Sequence, residues 1–302
     1  MKKILITGSN GLLGQKLVTA LLKSNTFEIN ATSKGENRIN NKAGYIYQSL
    51  DITNKQEVDT LISKYTPDVI INTAAMTNVD ACETQKGECW KLNVIAVEYL
   101  ISAIEKLSHN THFIQLSTDF IFDGKKGSPY TEEDAPNPLS YYALSKWEAE
   151  KRVMISNLRW AIARTIIVYG IVDNMSRSNI VLWAKEALTK GQKINVVDDQ
   201  FRSPTLAEDL AAGCILIAEK EATGVYNLSG PKTLSVLEIV NAVAGYWKLD
   251  KSLITPSKSN TLNQAAKRPP RTGFIIDKAI KELGYAPHSF EEGLEILDKK
   301  IN

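Results

Sequence analysis

An α/β fold, with a doubly wound parallel sheet followed by a smaller C-terminal lobe, is what this 302-residue sequence predicts. Three observations carry that expectation. The chain opens with an apolar run, KILIT, and a glycine-rich turn, TGSNGLLG (7–14), then passes into a segment with Leu13, Leu17 and Leu21 at four-residue spacing; this reads as strand, turn and amphipathic helix. Strand-like and helix-like segments then alternate without hairpin signals, the pattern of parallel strands joined by right-handed crossovers. From about residue 170 the elements shorten and the connections lengthen, punctuated by SPT, SGP and KRPPRTG. A smaller lobe whose chain partly returns to the main sheet fits that change.

In order, the expected elements are strand KILIT and its helix, strands FEINATS and YIYQSLD, a helix near 54–65, strand DVIINTA, a long helix near 87–107 and strand HFIQLST. The stretch 123–140, DGKKGSPYTEEDAPNPLS, is dense in Gly, Pro and charge and reads as a surface loop. Its last residue, Ser140, is placed to cap the helix that begins YYALSK. A sixth strand, WAIARTIIVYG, follows, then a helix near 177–190, strand KINVV, a helix near 206–219 and strand VYNLS.

Composition narrows the functional class. Apolar residues make up 43% of the chain and the formal net charge is +2, which suits a globular protein and gives no attraction to nucleic acid or an anionic membrane. The apolar run in MKKILITG is too short for a signal-peptide core, and no stretch reaches the ~20 apolar residues of a membrane span. A soluble, cytoplasmic protein is expected. Cys82, Cys89 and Cys214 are odd in number and lack CxxC spacing, as thiols in a reducing compartment would be. Of His109, His112 and His288 the first two lie three apart, but no third ligand is nearby in sequence, so no metal site built on histidine is expected.

Chemistry concentrates in a few places. Gly8, Gly11 and Gly14 follow a strand and open a helix, the context in which a glycine turn lets backbone amides approach the pyrophosphate of a dinucleotide. The second strand ends in Ser33 and Lys34 with Arg38 nearby, where an NAD-binding protein would carry an acidic residue, so a 2′-phosphate and hence NADPH is favoured, with NADH as the alternative. Asp51 stands where it could take the adenine amino group or cap the next helix. Ser117 and Thr118 end the fifth strand, at the sheet edge where ligands of such folds gather. Tyr142 and Lys146, four apart, share a helix face, which puts a proton-donating phenol beside a cation able to lower its pKa.

At these residues the chain resembles the extended short-chain dehydrogenase/reductase family, and within it is most similar to the dTDP-4-dehydrorhamnose reductases, over nearly its whole length. The resemblance is carried by TGSNGLLG, NTAAMTNVDACE (72–83), Asn93, STDFIFDG, YYALSK, RTIIVYG, VVDDQFRSPT (196–205) and RPPRTGF. It implies a Rossmann-type NAD(P)-binding domain at 1–170 and a mainly substrate-binding lobe at 171–302. It further implies catalytic roles for Thr118, Tyr142 and Lys146, and cofactor contacts from Gly8, Asn10, Gly11, Leu12, Gly14, Asp51, Ile52, Ala74, Ala75, Tyr142 and Lys146. Thr118, Asp119, Phe120, Asn179, Arg202 and Arg271 would hold the substrate, the last three around its diphosphate.

The implied reaction is NADPH-dependent reduction of the 4-keto group of a nucleotide-linked 6-deoxy sugar, with dTDP-4-dehydro-L-rhamnose the best single substrate. A homodimer is compatible with it. Two positions depart from the rhamnose-forming pattern: Ile167 stands where a tryptophan is typical, and Arg202 where a glycine is. Two rivals remain. One is a nucleotide-sugar epimerase or dehydratase, although the acidic pair of dehydratases stops here at Asp119, with Phe120 next. The other is a regulatory subunit like the methionine adenosyltransferase partner that resembles these reductases.

Overall fold

The computed structural model describes residues 1–261 and 264–301; positions 262, 263 and 302 of the expected lobe lie outside them. The first half runs β1 (Lys2–Thr7), α1 (Leu12–Ser24), β2 (Phe27–Ser33), β3 (Ile46–Ser49), α2 (Lys55–Tyr65), β4 (Val69–Asn72), α3 (Val79–Thr84), α4 (Lys86–Trp90), α5 (Ala96–Ile104), β5 (His112–Thr118), α6 (Tyr141–Met154) and β6 (Arg159–Thr165). The second half comprises β7 (Val168–Tyr169), α7 (Ile180–Thr189), β8 (Ile194–Val197), β9 (Phe201–Arg202), β10 (Thr205–Leu206), α8 (Ala207–Glu219), β11 (Gly224–Asn227), β12 (Leu234–Ser235), α9 (Val236–Tyr246), β13 (Ile254–Ser257) and α10 (Phe290–Ile301).

Seven strands form one parallel sheet in the order β11-β6-β5-β4-β1-β2-β3. Helices cover both faces, so strand residues on either side of the pleat are buried and the strands read as apolar runs rather than alternating ones. Ile4 and Ile6 of β1 join Leu17, Val18 and Leu21 of α1 in one core. Leu5, pointing the other way, joins Val58 and Ile62 of α2 and Leu100 of α5 in another. A third core gathers Tyr169, Val181, Val196, Ile239, Val243, Phe290 and Leu297 in the second half of the chain. That half also lends β11 to the edge of the main sheet, paired with β6 through Gly224–Asn227.

Two expected elements are interrupted. The long helix expected near 87–107 contains a π turn at Lys91–Ile95 between α4 and α5. Asn93 in that turn accepts from Met76 N at 2.8 Å, donates to Met76 O at 3.1 Å and donates to Ser145 Oγ at 2.9 Å. The wider turn thereby pins the loop after β4 and the middle of α6 to one side chain. The expected sixth strand WAIARTIIVYG breaks after Thr165. Ile167 takes a positive φ of 32°, which is strained for a β-branched residue. Thr205 Oγ1 holds the break by donating to Ile166 O at 2.7 Å, and β7 leaves the sheet to pair with β10 instead. Beyond this kink the chain enters the segments that build the third core.

Ser140 does cap α6: its Oγ accepts from Ala143 N at 3.3 Å. A buried ion pair then fixes that helix against the sheet. Arg164 of β6 donates to Glu150 of α6 through Nη2 at 2.7 Å and Nε at 3.1 Å, and its Nη1 donates to Glu132 O at 3.0 Å.

Candidate active site at the carboxyl edge of the sheet

Parallel pairing places the ends of β1, β4, β5 and β6 along one edge: Thr7 lies opposite Asn72, and Thr118 opposite Thr165. A cleft of about 1030 Å³ opens there. Its cofactor side is built by the glycine turn. Gly8 adopts φ +70°, and a Cβ at Gly14 would stand 2.4 Å from Gly8 O, so the turn and the close start of α1 both require glycine. The N-terminus of α1 has no side-chain cap and no acidic residue in its first turn, and Gly11, Leu12 and Gly14 line the cleft. Free amides and the positive end of the helix dipole make this an anion site.

Thr118, Tyr142 and Lys146 line the same cleft. Thr118 ends β5; its hydroxyl donates to Asp119 Oδ1 at 3.1 Å and accepts from Phe120 N at 3.2 Å. Burial pushes the Tyr142 phenol well above its ordinary pKa, a hydrogen bond with Thr118 opposes that rise and the Asp119 charge adds to it. The ring stands edge-on to Phe120, with centroids 6.1 Å apart. Lys146 Nζ donates to Leu116 O at 2.6 Å, and burial lowers its pKa to about 8 against the pull of Glu150. The phenol is therefore held firmly protonated, while the ammonium is anchored to the strand end.

Behind Thr118 lies a fully buried polar group. Asp119 accepts from both Thr118 and Thr272, with the Arg202 Nε 3.8 Å away, yet burial still raises its pKa. Arg202 lines the cleft but does not present a free fork. Its Nη1 donates to Phe201 O at 2.7 Å and its Nη2 to Pro269 O at 2.7 Å, with the guanidinium 5.5 Å from the Phe120 ring centre.

Other expected contacts are distributed less simply. Asn10, Ala75 and Asn179 line the cleft, and Asn179 also caps α7 and donates to Gly170 O at 2.7 Å. Ser33, Lys34, Asp51, Ile52, Ala74 and Arg271 lie outside its lining; Arg271 stacks on Phe201, with 4.2 Å to the ring centre. Lys34 is paired to Asp51 at 2.8 Å. Burial opposes ionisation of Asp51, but hydrogen bonds from Lys34 and Thr53 outweigh it and bring its pKa to about 2. Asp51 does not cap α2; Asn54 does, accepting from Gln56 N and Glu57 N.

Ser117 Oγ and Thr165 Oγ1 are buried at this cleft without a hydrogen-bond partner among the described residues. Such groups fit a polar ligand that would satisfy them. Arg177, Trp183, Gln200 and Arg268 also line the cleft and were not singled out by sequence. Arg268 lies in KRPPRTG, but only folding brings it beside Asp80, to which its two Nη atoms donate at 3.1 and 2.6 Å.

A family model described as the RmlD substrate binding domain matches residues 1–301. The chain belongs to that family. It is 31% identical over 306 residues to dTDP-4-dehydrorhamnose reductase of Aggregatibacter actinomycetemcomitans, covering 98% of each chain. It is 30% identical over 312 residues to methionine adenosyltransferase 2 subunit beta of Mus musculus, covering 93% of this chain and 90% of that protein. A crystal structure of dTDP-4-dehydrorhamnose reductase from Bacillus anthracis in complex with NADP superposes with a TM-score of 0.82 at 26% identity, covering 99% of this chain and 100% of that one. Among the described residues no helix is long and apolar enough to cross a membrane.

Proposed function

We propose that this family member is an NADPH-dependent oxidoreductase that reduces the 4-keto group of a nucleotide-linked 6-deoxy sugar, with dTDP-4-dehydro-L-rhamnose the best single substrate. The observation that carries the reading is that Thr118, Tyr142 and Lys146 line one cleft together with the uncapped α1 N-terminus. The relatives' names support the sugar and the coenzyme. The division into a cofactor-binding part at 1–170 and a substrate lobe at 171–302 belongs to the same proposal.

When bound, NADPH supplies the hydride. The backbone amides of Leu12 and Gly14 would hold its pyrophosphate, in a turn that the Gly11 N–H closes by donating to Gly8 O at 2.9 Å. Tyr142 delivers its proton to the carbonyl oxygen as charge develops there, and its raised pKa keeps it loaded until an alkoxide-like base forms. Thr118 has its hydroxyl proton directed to Asp119, so it orients the phenol while Asp119 fixes its rotamer. Lys146 holds the nicotinamide ribose.

The lowered Lys146 pKa sets a pH dependence. Below about 8 the ammonium is present, and above it is lost. NADPH affinity is expected to fall as pH rises from 7 to 9, read by nicotinamide fluorescence. Stability should move the opposite way: between about 8 and the ordinary 10.5 only the unfolded chain holds the proton, so folding gains with pH. A flat affinity across that window would remove Lys146 from the coenzyme site.

A second reading is favoured by the similarity to methionine adenosyltransferase 2 subunit beta, in which the fold would bind a partner enzyme and a coenzyme without turnover. NADPH oxidation by the purified protein, with and without dTDP-4-dehydro-L-rhamnose, separates the two. Substrate-dependent oxidation supports the reductase. Tight NADPH binding with no oxidation supports the subunit.

A further inference from the structure

The residues that the sequence motif places around a substrate diphosphate are committed elsewhere. Arg202 gives its donors to the carbonyls of Phe201, Pro269 and Pro270, Asn179 caps α7, and Arg271 stacks on Phe201 outside the cleft lining. Two further cations in the lining are occupied as well: Lys146 donates to Leu116 O, and the Arg268 fork is closed on both oxygens of Asp80, at 3.1 and 2.6 Å. Arg177 is the exception. It is exposed, lines the cleft and has no carboxylate partner among the described residues. Its Nη1 donates to Thr77 Oγ1 at 3.4 Å, a long and weak bond that an anion displaces readily.

The backbone that carries Arg177 is held in place before any ligand arrives. It lies in the connection from β7 to α7, where Asp173 exchanges two hydrogen bonds with Gln15 of α1, its N–H donating to Oε1 at 3.1 Å and its carbonyl accepting from Nε2 at 2.9 Å. Asn174, at a left-handed φ of 47°, donates to Arg38 O at 2.9 Å. Asn179 closes the connection by donating to Gly170 O at 2.7 Å. A segment already ordered loses less entropy when it binds.

Beyond Arg177, Ile180 and Trp183 of α7 both line the cleft, three residues apart and hence on one face of the helix. Trp183 is 39% exposed, the one exposed tryptophan among the described residues, and no ring or cation there covers its indole. Trp147 and Trp247, by contrast, carry lysines over their rings. A bare aromatic face inside a cleft suits a flat partner, and a guanidinium just before the same helix suits a phosphate.

We infer that Arg177 and Trp183 form the nucleotide end of the substrate cleft, the guanidinium taking the diphosphate and the indole stacking on the base. The inference rests on the sugar-nucleotide reading above and moves the diphosphate from the motif's residues to two that the motif does not contain.

The test titrates the full-length protein with dTDP and, separately, with NADPH by calorimetry. Arg177→Met is expected to raise the Kd for dTDP at least about tenfold, the loss of hydrogen bonds to a charged group, and Trp183→Ala at least about fivefold, the loss of one stacked base. Trp183→Phe should recover most of the second effect, and none of these substitutions should change the Kd for NADPH. Salt separates the two roles: added NaCl weakens dTDP binding to the parent and to Trp183→Ala, while Arg177→Met shows a flatter dependence. An unchanged Kd for dTDP or an unchanged salt dependence in Arg177→Met overturns the assignment of the diphosphate. An unchanged Kd in Trp183→Ala overturns that of the base. Weaker NADPH binding in either variant places that residue at the coenzyme and overturns its assignment too. A parent protein that binds NADPH but not dTDP overturns this inference and leaves the coenzyme site standing, whereas one that binds neither overturns the functional reading with it.

Discussion

Replacing Tyr142 by phenylalanine is expected to lower kcat by ~10²–10⁴, the range for loss of a general acid, while NADPH affinity and stability change little. The ring packs edge-on to Phe120 and is 8% exposed, so the phenyl group keeps its contacts. Thr118 also keeps two of its partners, Asp119 and Phe120 N, so no buried hydroxyl is orphaned. What disappears is the proton that burial holds on the phenol. Steady-state NADPH oxidation with dTDP-4-dehydro-L-rhamnose reads the effect directly. A variant turning over at the parent rate would remove Tyr142 as the donor and favour the regulatory reading.

The second large effect is expected at Arg202, and it is an effect on folding. Its side chain is buried, 3% exposed at the residue level, and its donors already serve Phe201 O, Pro269 O and Pro270 O while its charge offsets Asp119. Arg202→Met strands three carbonyl contacts and leaves a buried carboxylate without its counter-charge, a change that costs ~3–5 kcal/mol. Urea denaturation is expected to show that loss. Adding Asp119→Asn should recover part of it, because the uncompensated charge is then gone. If Arg202→Met instead unfolds at the parent midpoint and raises only the KM for the sugar nucleotide, Arg202 is a substrate ligand, as its place in the sequence first implied.

The contrast at Arg202 illustrates what a sequence reports about cations. An arginine in a loop motif looks free, since two of its three carbonyl partners here, Pro269 O and Pro270 O, are 67 and 68 residues away. Lys34 is similar: the carboxylate that occupies it, Asp51, is on the far side of β3 in sequence and beside it in space. Arg177 and Arg268 show the converse, since nothing in their local pattern signals a cleft lined from both halves of the chain.

By itself the sequence determined the parallel sheet, the glycine turn and the grouping of Thr118, Tyr142 and Lys146. Each follows from local rules: apolar runs with helical spacing between them, glycine where a Cβ would clash with backbone, and a four-residue step on a helix capped by Ser140. Tertiary structure alone decided the break at Ile167, the π turn holding Asn93, the burial that loads Tyr142 and lowers the pKa of Lys146, and the tie from Asn174 to Arg38. Those features depend on which distant groups become neighbours and on how much water they lose, and neither is encoded in spacing along the chain.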